Sequence, residues 1–172
     1  MKVIKIPVGL LQANCYLVIN KDKILIVDPG SEFDKIQSKI KELNVKPIGI
    51  LITHSHFDHI GALKQFEDLY NIPICNHKNR IEFDDFKFKI IDTEGHTSDS
   101  VTFYFYENSF MFTGDFLFKE TIGRTDLETS DAEQMKKSIA KIKQLPIDTI
   151  IYPGHGENST LEHELKNNFF LF

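Results

Sequence analysis

The segment THSHFDHIG, residues 53–61, places His54, His56, Asp58 and His59 within six positions of a chain that has seven histidines in all. Protonated imidazoles this close together repel, and neutral ones each need a partner. A cation held among them, with the carboxylate, resolves both difficulties. A polar surface turn would account for one His and one Asp, but poorly for three and one. Three more donors end strand-like runs downstream: His96 in EGHTSDS after FKFKIIDT, Asp115 in FTGD after SFMF, and His155 in PGHGENST after TIIY. Singly, each is an ordinary turn residue. Together they repeat one design, an apolar strand, a small residue and then a donor. Seven donors exceed what a four-coordinate zinc can use. Two ions sharing a bridging carboxylate could use them all and leave room for a bridging water. Nitrogen and oxygen donors without sulfur suit zinc, iron or manganese.

These donors need a scaffold that ends several strands at one edge. VIKIPVG (3–9), NCYLVIN (14–20) and KILIVDPG (23–30) read as three successive strands. Ile36, Ile40 and Leu43 repeat at helical spacing, with Asn44 to close the turn. IGILITH (48–54) is a continuous apolar run of the kind buried on both sheet faces. Residues 59–71 read as one amphipathic helix through Ile60, Leu63 and Phe66. PICNH (73–77) is a short strand, and residues 86–115 are β-rich. Ser130 and Glu133 form a capping box for a helix carrying Met135, Ile139 and Ile142. DTIIYPG (148–154) gives a last strand, and Ser159 with Glu162 caps a terminal helix. Mixed strands and helices of this order predict an α/β (α+β) sandwich with helices covering the sheet faces.

At 172 residues, 41% of them hydrophobic, the chain reads as one domain over 1–172. A net charge of −5 and the lack of a basic stripe argue against a nucleic-acid partner. Lys5, Pro7, Gln12 and Asn14 interrupt the apolar N-terminus, so neither a signal peptide nor a membrane anchor is expected. Cys15 and Cys75 lie in no paired motif and read as buried small side chains in a cytoplasmic protein. A small molecule is then the expected ligand.

THSHFDH resembles the HxHxDH signature of the metallo-β-lactamase superfamily, and NCYLV, VDPG, GHT, TGDFLF, IGRTDL and PGHG resemble its small glyoxalase-II-like hydrolases. The resemblance runs from about Asn14 to Thr160. It implies an αββα sandwich with two metal ions at one edge, zinc foremost. His54, His56 and His96 would hold one ion and Asp58, His59 and His155 the other, with Asp115 between them. Asp28 and Thr53 would support the ligand loops. Two departures stand out. Ser98 and Asp99 follow GHT where relatives commonly have Pro-Gly, and the chain ends soon after PGHG, without the added helical domain that contacts glutathione in full-length glyoxalase II enzymes.

The activity this resemblance implies is hydrolysis of an acyl bond by hydroxide held between two ions, with Asp58 helping to orient it. A thioester such as S-lactoylglutathione leads the candidates, with a lactone or ester as alternatives. Arg124, Lys119 and Tyr152 are candidates for contacting an anionic substrate; His77 and His163 read as surface residues. A mononuclear-iron persulfide dioxygenase shares similar residues and would bind one iron. A β-lactamase proper would be expected to carry an export signal, and the intact ligand set argues against a non-catalytic metal-binding or partner module.

Overall fold

Lys2–Val8 (β1) and Ala13–Asn20 (β2) fold back on one another through a turn in which Gly9 and Gln12 both take positive φ. The computed structural model describes residues 1–172, which divide into two compact units, Met1–Phe86 and Lys87–Phe172. In the first unit, β2 pairs antiparallel with Lys23–Val27 (β3). Lys46–Leu51 (β4) and Ile74–Cys75 (β5) then add in parallel, giving the order β1-β2-β3-β4-β5. Such parallel pairing requires crossovers, and the chain supplies Phe33–Leu43 (α1) between β3 and β4. Its Ile36 and Ile40 meet Ile24, Ile26 and Ile50 in the core. Asn44 closes α1 in a left-handed cap, as its place after the last apolar repeat suggested.

The helix expected over 59–71 is two pieces, Phe57–Ile60 (α2) and Leu63–Tyr70 (α3). The break has a local cause: the Ala62 N–H donates to Pro29 O rather than continuing the helix ladder. Gly61 sits so close to this loop that a Cβ on it would come within 2.3 Å of Gly30 O. One turn of helix is thereby detached and tied to the 28–31 loop, carrying Asp58 and His59 with it.

The second unit has the sheet order β12-β11-β8-β7-β6, built from Lys89–Asp92 (β6), Val101–Phe105 (β7), Phe110–Gly114 (β8), Ile150–Pro153 (β11) and Ser159–Thr160 (β12). Strands β8 and β11 are parallel neighbours, so Gly114 and Pro153 end side by side. Ala132–Ile142 (α4) buries Met135, Ile139 and Ile142 against Met111, Phe116 and Ile151. Phe105, Phe110, Phe112 and Tyr152 form a separate ring cluster. A small hairpin, Leu117–Phe118 (β9) with Thr121–Ile122 (β10), was not expected from sequence, since two-residue strands carry no period. Leu161–Asn167 (α5) and the 3-10 turn Phe169–Leu171 end the chain.

Both expected helix caps shift by one residue. Asp131, not Ser130, caps α4 by accepting from the N–H groups of Glu133 and Gln134, because Ser130 Oγ instead donates to His96 O at 2.6 Å. Thr160, not Ser159, caps α5, and the Ser159 hydroxyl goes to Glu164. No helix is long and apolar enough to cross a membrane.

Candidate metal centre

In the first unit the donors gather where β4 ends. Thr53 and His54 are buried just beyond Leu51, and His59 on α2 is fully buried. Beneath them lies Asp28, 2% exposed, in a left-handed conformation at φ 47° that Asp tolerates better than most residues. Its Oδ1 accepts from the Thr53 N–H at 2.8 Å; its Oδ2 accepts from Thr53 Oγ1 at 2.6 Å and from His59 Nδ1 at 3.0 Å. Having given its proton to Asp28, the Thr53 hydroxyl is an acceptor for His54 Nδ1 at 3.1 Å. One carboxylate thus fixes both rings as Nδ1–H tautomers and leaves Nε2 of each to act as a donor atom toward a cation.

His54 Nε2 lies 3.1 Å from His56 Nδ1, and His59 Nε2 lies 3.7 Å from Asp58 Oδ2. Two donors about 2.1 Å from one tetrahedral ion are themselves roughly 3.4 Å apart. Gly30 makes this possible: a Cβ there would lie 1.6 Å from Asp58 O, so only glycine lets the 28–31 loop pass under α2.

The second unit carries its own set. Asp115 Oδ2 is 3.6 Å from His96 Nε2 and 3.6 Å from His155 Nε2. That is too long for a hydrogen bond and of the length that separates two ligands on one ion. One carboxylate oxygen is thus equidistant from two imidazole nitrogens on different loops. His96 Nδ1 donates to Arg124 O at 3.0 Å, which again leaves Nε2 as the donor atom toward a cation. The β9–β10 hairpin brings that carbonyl into place, and Gly123 packs so tightly that a Cβ would meet Asp115 O at 1.8 Å.

Side chains able to hold a metal are His54, His56, Asp58 and His59 in the first unit, and His96, Asp115 and His155 in the second. Their donor chemistry and spacings within each unit fit divalent ions. Sequence reasoning missed the supporting parts: the Arg124 carbonyl, the Ser130 hydroxyl on His96 O, and Gly30 and Gly123. Within IGRTDL the main chain of Arg124, rather than its side chain, makes the contact with His96. The exposed Arg124 guanidinium turns to Asp126 through two bonds, of 2.7 and 2.9 Å. Lys119 pairs with Glu157 at 2.5 Å beside a cleft of about 450 Å³ that His155 helps to line. Tyr152 stacks on Phe112, and burial raises its phenol above the ordinary value. Ser98 is exposed and Asp99 half-buried. Cys15 and Cys75 are buried, as expected of small core side chains, and His163 is a surface residue paired with Glu120 at 2.8 Å.

The chain is 35% identical to "Probable metallo-hydrolase YqgX" of Bacillus subtilis, over 99% of this chain and 98% of the relative. It is 33% identical to "Hydroxyacylglutathione hydrolase GloC" of Haemophilus influenzae, over 96% of each. Among solved structures, BLEG-1 B3 metallo-beta-lactamase superposes with a TM-score of 0.95 at 31% identity, over 99% of both chains. That neighbour's fold is the α+β sandwich expected from the sequence. With the profile of the metallo-beta-lactamase superfamily also matching residues 8–83 and 78–155, the chain belongs to that superfamily.

Proposed function

We propose that the protein is a binuclear metal-dependent hydrolase of acyl bonds, acting on a small-molecule thioester of the S-lactoylglutathione type in the cytoplasm. In this reading His54, His56 and His96 would hold one divalent ion, Asp58, His59 and His155 would hold the other, and Asp115 would lie between them. The observation that carries it is Asp115 Oδ2, set 3.6 Å from each of two imidazole nitrogens. The N/O donor set suits zinc first, with iron and manganese as alternatives. When bound, such ions act as Lewis acids and lower the pKa of coordinated water to about 7.

The chain's own residues supply the rest. Asp28 and the Arg124 carbonyl hold protons on the outward nitrogens of His59 and His96, and Asp28 does so for His54 through Thr53. The inward nitrogens are thereby kept as donors toward the ions. The Asp58 carboxylate, mostly buried, accepts a hydrogen bond from the attacking water and so aims it at the carbonyl carbon. Two aspartates against two divalent ions leave the site net positive, which favours the oxyanion that develops.

The thioester assignment draws on the hydroxyacylglutathione hydrolase relative, at 33% identity over 96% of both chains. A β-lactam is the second substrate class, because the superposing structure is described as a β-lactamase. The test is elemental analysis of the purified protein beside a panel of thioesters, lactones, esters and β-lactams. Two metals per chain with thioester turnover is the expected result. Turnover confined to β-lactams, or one iron with oxygen uptake, would replace this reading.

A further inference from the structure

We propose that Lys119 and Glu157 together recognise the zwitterionic α-amino-acid head of the thiol carrier, and that they disfavour carriers bearing phosphates. This rests on the thioester reading above and goes further by naming the residues that sort one thiol from another. The two side chains meet at 2.5 Å beside the cleft lined by Phe118, Thr121, His155 and Gly156. An ion pair this exposed contributes little to stability, so an incoming ligand can part it at small cost. A ligand with a neighbouring carboxylate and ammonium would close a square of alternating charge, its carboxylate on Lys119 and its ammonium on Glu157. A phosphate-rich ligand would gain from Lys119 but meet Glu157 as a like charge.

The pair is built into the fold rather than left on loose loops. Glu164 of α5 is fully buried and holds both walls of the cleft. Its Oε2 accepts from the Glu120 N–H at 2.8 Å, next to Lys119, and its Oε1 accepts from the Ser159 hydroxyl, two residues past Glu157. Asn168 joins them, donating to Glu164 Oε2 at 2.8 Å and to Thr121 O at 3.1 Å. One buried carboxylate therefore sets the spacing of the two segments that present the opposite charges.

The test uses calorimetric binding of S-methylglutathione, its N-acetylated form and coenzyme A to the metal-loaded wild type, Glu157→Gln and Lys119→Met. The wild type is expected to bind S-methylglutathione about tenfold more tightly than the acetylated form, which lacks the ammonium. Glu157→Gln should erase that preference and tighten coenzyme A by a similar factor. Lys119→Met should weaken all three. Equal binding of the two glutathione derivatives by wild type, or a preference that survives Glu157→Gln, would overturn the assignment. Binding is read without turnover. A protein that cleaves thioesters but ignores the ammonium therefore refutes the pair alone, and one that shows the preference without cleaving thioesters refutes only the hydrolase reading.

Discussion

Asp28→Asn is the sharpest probe of how the donors are held. Asn keeps the shape of the side chain and tolerates the left-handed backbone at φ 47°, so strain does not confound the result. Its oxygen can still accept from the Thr53 N–H, but its NH2 then replaces Oδ2. That group would face His59 Nδ1–H at 3.0 Å and the Thr53 hydroxyl at 2.6 Å, donor against donor. Hydrogen bonds to a charged group are worth about 1.5–3 kcal/mol each. With one of the two lost outright and the other weakened, the metal-stripped protein should lose roughly 2–4 kcal/mol in urea unfolding. His59 is also freed to take the other tautomer, so chelator competition should show metal affinity reduced by about 10–100-fold. A stability change within about 0.5 kcal/mol, together with unaltered metal affinity, would mean that Asp28 merely shapes a turn.

Four further outcomes are expected. Asp115→Ala should lower the bound metal from two ions per chain and abolish turnover, whereas His163→Ala should change neither; two tightly held ions in Asp115→Ala would remove the bridge. Gly30→Ala should destabilise by several kcal/mol, since its Cβ would lie 1.6 Å from Asp58 O; near-native thermal unfolding would contradict that packing. Arg124→Ala should leave metal content unchanged, because its carbonyl holds His96; loss of metal would show that the guanidinium matters to the ligands. Burial, and then the charge of Asp28, raise the Cys15 thiol well above its usual 9.0. Its contribution to stability is then intact below the unfolded value and disappears as pH climbs toward the folded one. Cys15→Ala should flatten the alkaline limb of the stability curve, and an unchanged limb would refute this.

The candidate donors stand out in the sequence because metal ligation needs particular residue types, and the apolar run before each points to a strand end. The strands β1 to β4 were legible for the same reason, since long apolar runs have few alternatives. What stayed hidden depends on contacts made after folding. Ser130 looks like a cap until His96 O claims its hydroxyl, and the break at Gly61 follows from Pro29 taking the N–H of Ala62. The β9–β10 hairpin is too short for periodicity to register, yet it delivers Arg124 O and one wall of the cleft. A carbonyl is present at every residue, so no residue type could have signalled that one.

That last contact has an evolutionary corollary. Because the group steadying His96 belongs to the polypeptide backbone, it survives almost any substitution at position 124. The loop can therefore trade its arginine for another side chain while the imidazole stays anchored. Variation at the surface and constancy at the imidazole can proceed from the same codon.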